Sequence, residues 1–166
     1  FLQATEASDK IFARFLEKHL PFKGKSPTSL VDLFCGRGTL SLALTDLGHT
    51  VTGVECDGQA LRALQKVEEP LLTIQERNLF EAPLTSTELN KVEAVVMNPP
   101  RAGAEKQTRE IAHSCVKKLV YISCNAESFA RDCAFLTEHG FKLREIVPVD
   151  QFMWTPHIEI MAYLER

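Results

Sequence analysis

"SLVDLFCGRGTLSLALTDLG", residues 29–48, holds two hydrophobic periods separated by a pair of glycines. Leu30, Val31 and Leu33 form a short apolar run of the kind found in strands buried on both faces. From Thr39 onward the apolar residues recur at helical spacing, and Gly48 marks the end of that helix. Gly36 and Gly38 allow the sharp turn between them. A strand, a glycine turn and a helix make the first part of a β–α–β unit.

The same alternation continues outward. Strands are expected at 49–56, 71–77, 92–98 and 118–123, with helices at 58–68, near 105–115 and at 127–140. Residues 79–90 read as irregular or helical. Before the first strand, Ile11, Phe12, Phe15, Leu16 and Leu20 share one helical face, and Pro21 with "KGKSPTS" ends that helix. The carboxyl end differs, because 141–149 and 157–165 are two strands with no helix between them, close enough to be antiparallel neighbours. The expectation is an α/β fold: a mostly parallel seven-stranded sheet covered on both faces, with an antiparallel last strand.

Residues 1–166 are expected to form one domain, with 45% apolar and 25% charged residues. No apolar run approaches the roughly 20 residues of a membrane span, and no membrane association is expected. Cys35, Cys56, Cys115, Cys124 and Cys133 are odd in number and lack CxxC spacing. That favours reduced thiols in a cytoplasmic setting over disulfides or zinc, and no metal is expected. The net charge of −3 argues against strong unaided binding to nucleic acid. The chain opens at Phe1 without an initiator Met or a basic leader, as expected of part of a longer chain.

Ligands of open α/β sheets sit beyond the carboxyl ends of the strands. Asp32 precedes the glycine turn, and a carboxylate there suits an amino group better than a pyrophosphate. A dinucleotide fingerprint would place a third glycine where Ser41 stands, which counts against an NAD oxidoreductase. Glu55 ends the second strand, where a carboxylate can accept both hydroxyls of a ribose. Asn78 follows the third strand, within reach of an adenine edge. With Phe34, Gly36, Gly38 and Thr39 of the turn, these residues point to S-adenosyl-L-methionine.

The other end of the site begins at "NPPRAG", 98–103. Its two prolines supply rigid backbone without amide donors. Asn98-Pro99-Pro100 also fits enzymes that methylate exocyclic amines, so that alternative stays open. Cys124 ends the fifth strand and Glu159 lies early in the last. If the last strand is antiparallel, Asn98, Cys124 and Glu159 meet over one cleft, with Glu159 at its mouth as a candidate base. Cys35, Cys56, Cys115 and Cys133 are assigned to packing.

"DLFCGRGTLSL", "NPPRAG", "YISCN" and "TPHIE", in this order, resemble the S-adenosylmethionine-dependent RNA (uracil-5-)-methyltransferases, and the opening "FLQ" resembles that family's entry to its catalytic domain. The resemblance spans essentially the whole chain and implies a Rossmann-like methyltransferase fold. It implies that Cys124 is the nucleophile and Glu159 the general base. It further implies that Gln3, Glu55 and Asn98 contact the donor or uracil, with Phe1 lining the site. The substrate would be a uridine of tRNA or rRNA, not DNA, gripped mainly by an amino-terminal segment absent here.

Carbon 5 of uracil is a weak nucleophile until a thiolate adds to carbon 6, so the reaction needs one thiol and one base. Arg101 is the candidate cation to help ionise the thiol. Trp154 is a candidate stacking residue and His157 a candidate to orient Glu159. Three features depart from the family pattern. Asn98 stands where aspartate is usual, Ala4-Thr5 follow the glutamine, and Ala126 replaces a common proline. A non-catalytic S-adenosylmethionine- or nucleotide-binding module is the remaining alternative.

Overall fold

The strands at the middle of the sheet are those whose residues are apolar almost throughout. The structure, a computed structural model, describes residues 6–22, 24, 27–150 and 158–166. Its elements run α1 (Glu6–His19), β1 (Ser29–Leu33), α2 (Thr39–Asp46), β2 (Thr50–Glu55), α3 (Gly58–Leu64), β3 (Leu72–Glu76), α4 (Ser86–Leu89), β4 (Ala94–Met97), α5 (Glu105–His113), β5 (Lys118–Ser123), α6 (Ala126–Glu138), β6 (Lys142–Val149) and β7 (Glu159–Glu165). They build one seven-stranded sheet in the order β3-β2-β1-β4-β5-β7-β6. Every residue of β4 is buried, whereas β3 and β6, at the edges, are largely open.

Strands β1 to β5 pair in parallel, and β7 runs antiparallel to both β5 and β6. The expected topology is therefore the observed one. Connection length explains it: the nine residues between β6 and β7 are fewer than the dozen or so that a parallel crossover requires. Strand order reverses between β1 and β4, which opens a crevice at their carboxyl ends.

Alternation along each strand sends side chains into two cores. Phe12, Leu16, Leu44, Val96, Val120 and Met161 pack under α1 and α2. Leu33, Val95, Met97, Ile111, Tyr121 and Leu136 pack on the other face under α5 and α6. Each fully buried aliphatic side chain contributes about 1.5–3 kcal/mol of transfer free energy. Ile11, expected on the buried face of α1, is instead 40% exposed, because the contact stripe is set by Phe12, Phe15, Leu16 and Leu20. Outside the packed face, Lys18 and His19 pair with Glu145 and tie α1 to β6. No helix among the described residues is long and apolar enough to cross a membrane.

Candidate active site

At the carboxyl end of β1 the chain enters the left-handed region three times, at Phe34 (φ 60°), Gly36 (φ 55°) and Gly38 (φ 83°). A methyl group on Gly38 would stand 2.4 Å from Leu64 Cδ1. The packing of α3 against the turn therefore excludes any side chain at this position. Gly38 also forms the N-cap of α2, and half-buried Thr39 is the helix's first residue. The half-buried Phe34 ring tilts against Phe80 with centroids 5.4 Å apart.

The Glu55 carboxylate bridges this turn to β2. Oε2 accepts from the Gly36 amide at 2.9 Å, and Oε1 accepts from the amides of Cys56 and Asp57 at 2.7 and 3.0 Å. A carboxylate has about four acceptor sites, so roughly one remains on Oε2. Asp32, inside β1 just before the turn, is completely buried. Ser41, where a dinucleotide motif would have glycine, donates to Asp32 Oδ2 at 2.6 Å, while Oδ1 has no hydrogen-bond partner. Burial pushes the Asp32 carboxyl up to about 7, against the two hydrogen bonds from Ser41 and with a small push from Glu55. Asn78 Oδ1 accepts from the Phe80 amide at 3.1 Å, so a ligand meets the Asn78 side-chain amide as a donor.

On the other side of the crevice, the β5–α6 turn explains why Ser123, Cys124 and Asn125 stand together. Ser123 Oγ donates to the Asn125 carbonyl at 3.0 Å and accepts from its amide at 3.2 Å. Asn125 Oδ1 caps α6 by accepting from the amides of Glu127 and Ser128. Two residues of the triplet fix the turn, and half-buried Cys124 is left lining a cavity of about 720 Å³ with Arg101, Pro148, Ile158 and Ile160. Strand β7 lies antiparallel beside β5, with Ser123 opposite Ile160. Carried one residue further, that register faces Cys124 with Glu159 on the same face of the sheet, where opposed Cβ atoms stand about 4.5–5.5 Å apart.

Glu159 is fully buried rather than placed at the cleft mouth, because β7 is an interior strand flanked by β5 and β6. Burial raises the pKa of the Cys124 thiol and the charge of Glu159 adds to that rise. The Cys124 backbone amide and the Arg101 guanidinium pull it down. Arg101 is thus near the thiol, as expected, but its charge does not prevail. Asn98, just past the end of β4, is half-buried, and its amide continues the ladder by donating to the Leu33 carbonyl at 3.2 Å. The strand alternation puts its side chain on the same face as Asp32 and Cys124.

A set of residues missed in the sequence holds this loop. Asp132, 1% exposed, accepts from the Ala104 amide at 2.8 Å and from the Tyr121 hydroxyl at 2.7 Å. Its other oxygen accepts from Arg131 Nε and Nη2. The available signal was an acid on the same helical face as Phe129, Cys133 and Leu136. Cys56 and Cys115, assigned to packing, are exposed, whereas Cys35 and Cys133 are buried. Phe1, Gln3, Trp154 and His157 lie outside the described residues. A cavity of about 780 Å³ lined by Leu30, His49, Ala94 and Lys118 opens at the amino ends of the strands. It is at the wrong edge for the ligand of an open α/β sheet.

Residues 68–166 match the sequence family described as tRNA (Uracil-5-)-methyltransferase. This chain belongs to the tRNA (uracil-5-)-methyltransferase family. A protein of Agrobacterium fabrum named as an uncharacterized RNA methyltransferase is 43% identical over 171 residues, which cover 100% of this chain and 40% of that protein. One from Caulobacter vibrioides with the same description is 38% identical over 172 residues, again all of this chain and 40% of the relative. The chain therefore spans two fifths of the length of these members.

Among solved structures, the Pyrococcus abyssi tRNA (uracil-54, C5)-methyltransferase in complex with S-adenosyl-L-homocysteine aligns with a TM-score of 0.80 at 25% identity, covering 99% of this chain and 40% of that one. The geranyl diphosphate C-methyltransferase of Streptomyces coelicolor aligns with a TM-score of 0.67 at 16% identity, over 95% of this chain and 78% of that one, a likeness of fold. The fold is accordingly that of the Rossmann-like, S-adenosylmethionine-dependent methyltransferases. In this member of the uracil-5 family, Asn98, Arg101, Cys124 and Glu159 fall inside the matched span, and the glycine turn and Glu55 precede it.

Proposed function

We propose that this chain is the catalytic part of an S-adenosyl-L-methionine-dependent RNA (uracil-5-)-methyltransferase acting on a uridine of tRNA or rRNA. The observation that carries the reading is the facing of Cys124 and Glu159 where β5 and β7 part, with Arg101 beside the thiol. The Pyrococcus abyssi relative, which acts on a tRNA uracil, supports the choice of substrate class.

The residues fit the donor. Oδ1 of Asp32 is a buried acceptor without a donor, the complement of a cationic amino acid above the glycine turn. Glu55 retains acceptor capacity for a ribose hydroxyl, and Asn78 offers its amide to an adenine acceptor. Phe34, Gly36, Gly38 and Thr39 shape the turn that would carry the donor, and Asn98 borders it across the crevice. The donor, when bound, supplies the methyl group that ends on carbon 5.

The chain's own chemistry is a thiol and an acid. The Cys124 thiolate adds to carbon 6, forming a carbon–sulfur bond and moving the ring electron pair toward carbon 5 and the O4 enolate. Arg101 and the amides at the start of α6 stabilise the thiolate. After carbon 5 is methylated, Glu159 takes its proton, the ring double bond re-forms and the thiolate leaves. RNA grip is assigned to the part of the protein outside this chain, consistent with its net charge of −3.

The test offers RNA containing 5-fluorouridine and the methyl donor to the full-length protein. With no proton to remove at carbon 5, the expected product is a denaturation-resistant protein–RNA adduct that Cys124→Ala abolishes. An amine methylase working through Asn98-Pro99-Pro100 forms none, and absence of the adduct from active wild-type protein defeats the proposal.

A further inference from the structure

Arg131 and Asp132, near the middle of α6, join three separate elements. Asp132 receives the Ala104 amide from the loop after β4, the Tyr121 hydroxyl from β5 and the Arg131 guanidinium from its own helix. Arg131 Nη2 also donates to the Ala102 carbonyl at 3.1 Å. The loop is fitted to this clamp. Gly103 has φ 76°, and a Cβ there would lie 2.6 Å from Arg131 Nη2, 2.8 Å from Asp132 Oδ2 and 2.9 Å from Ser128 Cβ. The Gly103 amide closes the turn onto the Pro100 carbonyl at 2.8 Å. Arg101 lies inside that turn, and Cys124 sits two residues before α6 begins.

We propose that Arg131 and Asp132 are positioning residues that lock the Asn98–Ala104 loop onto α6 and so hold Arg101 against Cys124. A loop held only by its prolines leaves an exposed arginine free to leave the thiol. Two Arg131 donors on one Asp132 oxygen, together with two hydrogen bonds to loop backbone, fix its base. This rests on reading Cys124 as the nucleophile, but its test does not need methyl transfer.

The experiment measures the pH dependence of Cys124 alkylation by iodoacetamide in the full-length protein. Modification is followed by mass spectrometry at that residue, because Cys56 and Cys115 are exposed and also react. Arg101→Ala is expected to move the profile to higher pH. Arg131→Ala is expected to reproduce at least half of that shift and to add nothing in the Arg101→Ala background, the signature of two residues acting through one contact. Arg131→Lys, which keeps the charge on the helix but not the fork, is expected to shift the profile in the same direction and stands in if the alanine variant does not fold.

No shift in Arg101→Ala, a shift in the Arg131 variants under half of it, or a shift undiminished in the Arg101→Ala background overturns the proposal. A merely structural role would lower the melting temperature and leave the profile in place. Loss of the 5-fluorouridine adduct in wild-type protein would instead defeat the assignment of the nucleophile, a separate failure.

Discussion

Ser41 donates its hydroxyl to the buried Asp32 carboxylate at 2.6 Å, and the other Asp32 oxygen is left without a donor. The hydrogen bonds from Ser41 do not offset full desolvation, and burial pushes the carboxyl up to about 7. In the unfolded chain an aspartate titrates near 3.9. Between those values the folded state binds more protons, so stability falls as pH rises from about 4 to about 7. The difference in unfolding free energy between wild type and Asp32→Asn is expected to change by a few kcal/mol across that window, then level off. Urea titrations at pH 5, 6, 7 and 8 measure it, and parallel curves for the two proteins would reject the assignment. A cationic donor selects the ionised form, so its affinity is expected to be about tenfold weaker at pH 6 than at pH 8, with Asp32→Asn flat.

Gly103 is enclosed at positive φ by a carboxylate oxygen, a guanidinium and a serine Cβ. Gly103→Ala therefore adds both backbone strain and collision, and the Asp132 oxygen cannot retreat without releasing Ala104 or Tyr121. A loss of about 1–3 kcal/mol is expected in denaturant unfolding. Gly140 provides the control, because it is also at positive φ but an added Cβ there would meet nothing within 4 Å. Gly140→Ala carries the backbone penalty alone and is expected to be the milder change.

The path of the sheet is legible in the sequence because it follows from hydrophobic periods and connection lengths. The limits of β5, Lys118–Ser123, are those the sequence predicts, since a charged residue and a polar triplet bound four consecutive apolar residues. The antiparallel course of β7 follows from a connection too short for a crossover. Side-chain direction at the rim is less legible. Nothing in "TPHIEI" says that β6 covers Glu159, because coverage depends on a partner strand rather than on local pattern. In sequence Ser41 is only a missing glycine, and its bond to Asp32 depends on how α2 lies over β1. Asp132 escapes notice for the same reason, since its partners come from the loop after β4 and from β5.

The β5–β7 register, carried one residue past Ser123 and Ile160, brings buried Glu159 opposite Cys124. Under the proposed mechanism its work comes after methylation. Glu159→Gln keeps shape and hydrogen bonding but cannot accept the carbon-5 proton. The expected result is adduct formation on ordinary uridine RNA with release slowed by about 10²–10⁴-fold. Denaturing gels with labelled RNA report the trapped species, and turnover at the wild-type rate would remove Glu159 from the mechanism.

Asn125 separates the stability of α6 from the chemistry in front of it. Its side chain satisfies two amides at the start of a 13-residue helix, and its backbone is tied to Ser123. Asn125→Ala is expected to cost about 1 kcal/mol of stability, whereas Asn125→Ser, which can still cap, is expected to cost only a few tenths. The two variants also part in reactivity. Without the cap the first turn of α6 frays, the aligned amides that favour an anion are lost, and Cys124 should alkylate more slowly at neutral pH. Asn125→Ser should restore the rate along with the stability. If alanine lowers the melting temperature but leaves Cys124 alkylation unchanged, the helix terminus contributes nothing to the thiolate, and Arg101 alone must supply its stabilisation.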